Sequence, residues 1–166
     1  MMDTTDAFNL HLPDVGFGGG FALWSFRVCA TGGANCRLTY AAFDQIFGGQ
    51  GLDALNAMIS FTKNIAASGR RRISLAQPCC CRTSSDEQSV LAAFAAAQSG
   101  DRATCEKHLT WLLAGEVPAG LVAEAVDIGE LLLRYGMMIE VPKTMVTKPV
   151  NSRLKLSIVG GTDYVH

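Results

Sequence analysis

Charge is scarce in this chain. Asp, Glu, Lys and Arg make up 17% of its 166 residues, where a soluble chain carries about 25%. The 14 basic and 15 acidic residues nearly cancel, leaving a formal net charge of -1. With no overall positive field, a nucleic-acid partner is not expected. A membrane-length apolar run is also lacking. The richest, "FGGGFALWSFRVCA" at residues 17–30, is interrupted by Arg27 and falls short of the roughly 20 residues that cross a bilayer, so no membrane association is expected either. The opening stretch "MMDTTDAFNLHLPD" has acids where a signal peptide needs basic residues, and no apolar core follows it. These absences lead to the expectation of a cytoplasmic protein. Its six cysteines should then be reduced, or committed to metal or redox work, rather than form a disulfide framework. The chain has neither an internal repeat nor a low-complexity linker.

What is present is apolar. Hydrophobic residues make up 49% of the sequence, enough for a single domain that buries about two-thirds of its unfolded surface. With so few charges, more apolar surface remains than a small monomer readily hides. That favours a homo-oligomer or a protein partner.

Helical periodicity runs from residue 21 to about residue 138. Phe21, Trp24, Val28 and Cys29 define a first short helix after the glycines at 18–20, ended by Gly32 and Gly33. A second, near residues 39–47, turns Ala42, Phe43, Ile46 and Phe47 inward. The third carries Leu52, Leu55, Met58, Ile59, Thr62, Ile65 and Ala66 at three- and four-residue steps and closes at Gly69. A fourth is expected over residues 85–99 with Val90, Leu91, Phe94 and Ala95 as its stripe. Ser84 and Glu87 stand at capping-box spacing at its start. A fifth covers residues 102–114, with Cys105, His108, Leu109 and Leu112 on one face. The sixth opens at Pro118 and turns Leu121, Val122, Ala125, Val126, Gly129, Leu132 and Leu133 inward. Short loops between long helices imply antiparallel neighbours.

Two stretches break the helical period. Residues 72–76 alternate polar and apolar, which suggests a short extended segment near Ile73, and Pro78 follows. Residues 153–158 alternate in the same way. The expected architecture is therefore an all-α bundle of five or six antiparallel helices. Residues 1–141 form the helical domain, with 1–17 irregular, and 142–166 form an extended tail that pairs as a strand with the domain or a neighbouring subunit.

Three adjacent cysteines, Cys79, Cys80 and Cys81, are the unusual chemical feature. They stand just before a helix N-terminus and beside Arg82, where a thiol pKa is lowered, so they are redox candidates. The C-x-x-C motif of disulfide oxidoreductases is absent. As metal ligands, at most two of the three point the same way along an extended chain. A site for zinc or another thiophilic metal would combine Cys29, Cys36, Cys79 and Cys81, without the paired spacing of established zinc motifs. Cys105 and His108 are tempting further donors. On a hairpin turning at Gly100, however, they fall roughly 10–20 Å along the bundle from the cysteines. The plainer alternative is that the cysteines simply pack as small apolar side chains.

The same helix start is a candidate anion seat, made of Arg70, Arg71, Arg72, Arg82, Thr83 and Ser84, although Glu87 places a carboxylate there first. The glycines of "DVGFGGGFALW" lack the preceding strand and following lysine of a nucleotide loop and read as a flexible lead-in. His108 reads as a satisfied core residue, and no nucleophile stands at a spacing that suggests catalysis. No cofactor is expected. The leading functional expectation is a non-catalytic protein-interaction or regulatory module. A cysteine-dependent metal or redox protein comes second, and a small-molecule or anion binder third.

Overall fold

The computed structural model describes residues 12–141. Six α-helices account for most of them: α1 (Gly16–Ala30), α2 (Arg37–Phe47), α3 (Gly51–Ser68), α4 (Ser85–Gln98), α5 (Arg102–Leu113) and α6 (Ala119–Arg134). There is no β-strand among the described residues, and the fold is an all-α bundle. The extended segment expected near Ile73 is irregular chain instead, because its backbone amides bond to side chains of α4 rather than to a second strand. The strand expected at residues 153–158 lies, with the rest of 142–166, outside the described residues.

The α4–α5 hairpin packs against α6, while α3 lies centrally against α1, α2 and α6. Aromatic rings tie the layers together. Phe61 of α3 stands 6.1 Å from Phe26 of α1 and 5.0 Å from Phe94 of α4, centroid to centroid. A second chain of rings runs from Phe21 to Phe47 at 6.0 Å and on to Tyr135 at 5.0 Å. Each such pair adds about 0.5–1.5 kcal/mol to the burial of the rings.

The helix ends follow from the sequence. At α4, the Asp101 amide bonds the Ala96 carbonyl at 2.9 Å and the Gly100 amide bonds Ala97 at 3.1 Å. This is the Schellman closure, with Gly100 at φ 76°. The end of α6 repeats it: Met137 bonds Leu132 at 2.9 Å and Gly136 bonds Leu133 at 3.0 Å. The chain then turns back across the N-terminus of α1. Gln98 holds it there, donating from Nε2 to the Met137 carbonyl at 2.8 Å and accepting from the Ile139 amide at 2.9 Å, and the Glu140 amide donates to the Val15 carbonyl at 3.1 Å.

That crossing explains the glycine run. Residues 16–20 are the first turns of α1, not a flexible lead-in. A Cβ at Gly18 would stand 2.5 Å from the Met138 carbonyl oxygen and 2.6 Å from the Met137 carbonyl carbon. Close approach of two backbones overrides the glycine penalty of about 0.5–1 kcal/mol in a helix. Two leucines expected inside are not. Leu52 is exposed because Gly51, whose Cβ would meet the Asp44 backbone at 2.9 Å, is the residue that α3 turns to α2. Leu133 is exposed because the buried stripe of α6 passes through Ile128, Gly129 and Leu132 and leaves it one step off the face. Ala66 is likewise on the outside of α3.

Gly18 and Gly20 make a paired test, because nothing lies within 4 Å of a Cβ at Gly20. Gly20→Ala should raise stability by about 0.5–1 kcal/mol through helix propensity. Gly18→Ala should lower it by about 1–3 kcal/mol through overpacking. Urea denaturation of the two variants beside the parent measures both; equal effects would remove the close-approach account.

Candidate functional site: the clamped cysteine loop

The loop before α4, residues 70–84, is held by one buried ion pair. Arg27, whose side chain is 0% exposed, extends from α1 to Glu87 of α4, also at 0%. Its Nε donates to Glu87 Oε1 at 2.6 Å and its Nη2 to Oε2 at 2.9 Å, a two-pronged contact. The rest of the guanidinium reaches the loop, with Nη1 donating to the Cys80 carbonyl at 2.7 Å and Nη2 to the Arg82 carbonyl at 2.6 Å. Glu87 is filled in turn, its Oε1 accepting from the Ala76 amide at 2.9 Å and its Oε2 from the Ser84 amide at 2.8 Å. Buried charges carry a desolvation cost of several kcal/mol each, and complete pairing of this kind offsets it.

Local sequence accounts for the arrangement. Ser84 caps α4, its Oγ accepting from the Glu87 amide at 3.1 Å, and Glu87 returns the contact as the expected capping box. The same carboxylate therefore closes a helix end and anchors Arg27. Its neighbour Asp86 works in parallel. It receives Arg71 through Nη2 at 2.6 Å and Nη1 at 3.1 Å, and the Ser74 amide at 2.6 Å. Arg71 lies over the Trp111 ring, 4.8 Å from its centroid. Ser84 Oγ donates to the Ser74 carbonyl, and a turn closes with the Cys80 amide on the Gln77 carbonyl at 2.9 Å. The loop is thus pinned at residues 71, 74, 76, 80 and 82.

The cysteines ride on this frame. Cys79 and Cys81 are exposed and Cys80 is half-buried, and Arg27 grips the carbonyls on both sides of Cys81. Cys29 lies half-buried near the end of α1, and burial pushes its thiol up to about 11, so it is protonated and sluggish at neutral pH. Cys36 is exposed at the start of α2. Among the described residues no three His, Cys, Asp or Glu side chains stand together as a metal-holding group, so Cys29, Cys36, Cys79 and Cys81 are not gathered at one point.

The arginines and hydroxyls proposed as an anion seat are not gathered for a ligand either. Arg71 is paired with Asp86 and Ser84 is the cap. Thr83 is buried, its Oγ1 accepting from Gln88 Nε2 at 3.2 Å. Arg70, Arg72 and Arg82 lie on the surface. The positive end of α4 already faces two carboxylates of its own chain.

On α5, Cys105 is fully buried, its thiol also raised to about 11 by burial. His108 is 3% exposed, and burial holds its pKa below the usual imidazole value. It is a core residue, as expected, and it also lines a hollow at the α4–α5 turn. Compared with protein-family models, curated proteins and solved structures, the chain has no match.

Two outcomes follow from this geometry. Arg27→Met should cost about 3–5 kcal/mol, because it leaves the Glu87 carboxylate buried without its partner. Urea denaturation measures the loss, and alkylation of Cys80 should accelerate in parallel; unchanged stability would remove the clamp. The second outcome concerns pH. The unfolded chain takes up a proton at the ordinary imidazole pKa, near 6.5, before folded His108 does. The stability held above that pH is therefore lost as pH falls toward the folded value. The urea midpoint should drop between pH 7 and pH 5, and His108→Leu should flatten that part of the slope. Asp101, its pKa lowered by hydrogen bonds from Thr104, contributes only at pH below this window. An unaltered slope in His108→Leu would contradict the assignment.

Proposed function

We propose that the chain is a non-catalytic protein-interaction module that associates with a second copy of itself. The observation that carries this reading is a set of exposed apolar side chains where α1 begins and α6 finishes. Phe17 is 74% exposed, Met138 63% and Leu52 58%, with Leu133 and Tyr135 also open. Two contacts link the segments that carry them. Gly18, next to Phe17, abuts the Met138 backbone, and Tyr135 donates through its hydroxyl to Gln50 Oε1 at 3.1 Å, two residues before Leu52. Scattered single hydrophobes are ordinary on a surface, whereas a contiguous group marks an interface.

A second copy suits this face because its rim carries both signs. Arg134 stands beside Leu133, and the exposed acids Glu140 and Asp53 lie beside Ile139 and Leu52. In a two-fold pairing each patch meets itself, so basic and acidic rims can oppose one another. The low overall charge and the absence of any unpartnered catalytic set in the loop support the same reading.

A second reading rests on the exposure of Cys79 and Cys81. An open thiol on a rigid loop suits reversible oxidation or soft-metal capture, with the half-buried Cys80 between them. Slow alkylation of both at neutral pH would end that reading.

Sedimentation velocity across a concentration series tests the first. The parent chain should run as a dimer, and the double variant Phe17→Lys/Met138→Lys, at two exposed positions with no core role, as a folded monomer. A parent that stays monomeric throughout, or a double variant that still dimerises, would overturn self-association through this face.

A further inference from the structure

A hollow of about 260 Å³ opens at the α4–α5 turn, away from the cysteine loop. Its walls are apolar and small, with Ala92 and Ala96 from α4 and Ile139 from the chain that follows α6. The alanines are what make the space, since a leucine at either position would fill much of it. A cavity of 150 Å³ holds a benzene ring, so this one admits a molecule on the order of ten non-hydrogen atoms.

Two polar groups stand at opposite ends, both on or beside α5. At the mouth is Asp101, exposed, the N-cap of the helix. Its Oδ1 accepts from the Thr104 amide at 3.0 Å and its Oδ2 from Thr104 Oγ1 at 2.6 Å. Those bonds favour the ionised carboxylate and leave lone pairs on both oxygens for a further donor. Lys107 acts on this carboxylate only weakly through space. Deeper in is His108, almost wholly buried and without a hydrogen-bond partner among the described residues. A neutral imidazole offers one acceptor and one donor, and lining the hollow makes them available to a bound molecule. Seven residues separate Asp101 from His108, about 10 Å along the helix axis.

We propose that this hollow binds a small hydroxyaryl-alkylamine, its ammonium on the Asp101 carboxylate, its ring between Ala92, Ala96 and Ile139, and its hydroxyl on the His108 imidazole. Each part answers one feature. The carboxylate selects a cation over an anion, the alanine wall accepts a flat ring, and the unpartnered imidazole distinguishes a ring that bears a hydroxyl from one that does not. The two-turn separation sets the distance between the charged and the hydroxyl end. This inference does not rest on the self-association reading, although Ile139 of the hollow and Met138 of that face share one segment.

Tyramine is the probe, with phenethylamine and 4-hydroxyphenylacetate as the analogues lacking the hydroxyl and the positive charge. Two-dimensional NMR titration of the full chain should give saturable shifts at Thr104, His108 and Ile139 with tyramine. Phenethylamine should bind about tenfold more weakly, the loss of one buried hydrogen bond, and the acid should not bind. Asp101→Asn, which keeps the helix cap because asparagine caps well, should weaken tyramine about tenfold or more. His108→Leu should erase the difference between tyramine and phenethylamine. Ala96→Leu should abolish binding, and Ala95→Leu, at a less buried wall position, provides the same test if Ala96→Leu unfolds the chain. The proposal is overturned if tyramine gives no saturable shifts, if the acid binds as well as the amine, or if folded Asp101→Asn and wall-filling variants bind tyramine like the parent.

Discussion

The bundle depends on a charge that its first helix cannot expose. Arg27 sits on a face of α1 that also carries Leu23 and Phe26, and its guanidinium has five donor hydrogens to satisfy without water. Only another element can supply the acceptors, and α4 does so through Glu87. Because one partner of a two-pronged pair fixes both the distance and the plane of the other, this contact sets the register of α1 against α4. The carbonyls of Cys80 and Arg82 complete the shell, so the loop between α3 and α4 is placed by the same group.

The cysteine loop is ordered for this reason and not through regular structure of its own. It has no strand partner, yet its backbone groups at Ser74, Ala76, Cys80, Arg82 and Ser84 are all taken up by side chains. The first turn of α4 does this with two adjacent carboxylates facing two arginines, Glu87 with Arg27 and Asp86 with Arg71. A helix N-terminus ordinarily attracts an external anion or an ionised thiol. Here that field is met internally, which turns a seat for chemistry into an anchor and leaves Cys79 and Cys81 as exposed thiols on a fixed support.

Much of the fold is legible in the sequence, and the failures share a cause. The stripes of α3, α4, α5 and α6, the capping box at Ser84 and Glu87, and the glycine stops at Gly69 and Gly100 are local signals, and local physics decides them. The glycines at 18–20 read as a flexible lead-in because their reason for being glycine, the backbone of Met137 and Met138, lies more than a hundred residues away. Arg27 reads as an interruption of an apolar run for the same reason. A lone arginine on an otherwise buried helical face is nonetheless a signal that an acid elsewhere must meet it, and Glu87, already tied to a buried helix start, is the natural partner. The hollow beside His108 was beyond reach. It depends on small residues of α4 lying opposite a histidine of α5 and on a chain segment crossing from α6, a coincidence of three elements that no local pattern encodes.

The scarcity of charge takes on a sharper meaning inside this structure. Four of the few ionised side chains, Arg27, Glu87, Arg71 and Asp86, are committed to the interior or its margin, where they hold the loop. The surface is therefore poorer in charge than the composition implies. Phe17, Tyr135 and Met138, where α1 begins and α6 finishes, are among the large apolar side chains left exposed. A chain that uses its polar groups to fix a loop internally has fewer left to cover such side chains, and the self-association proposed above rests on that shortage.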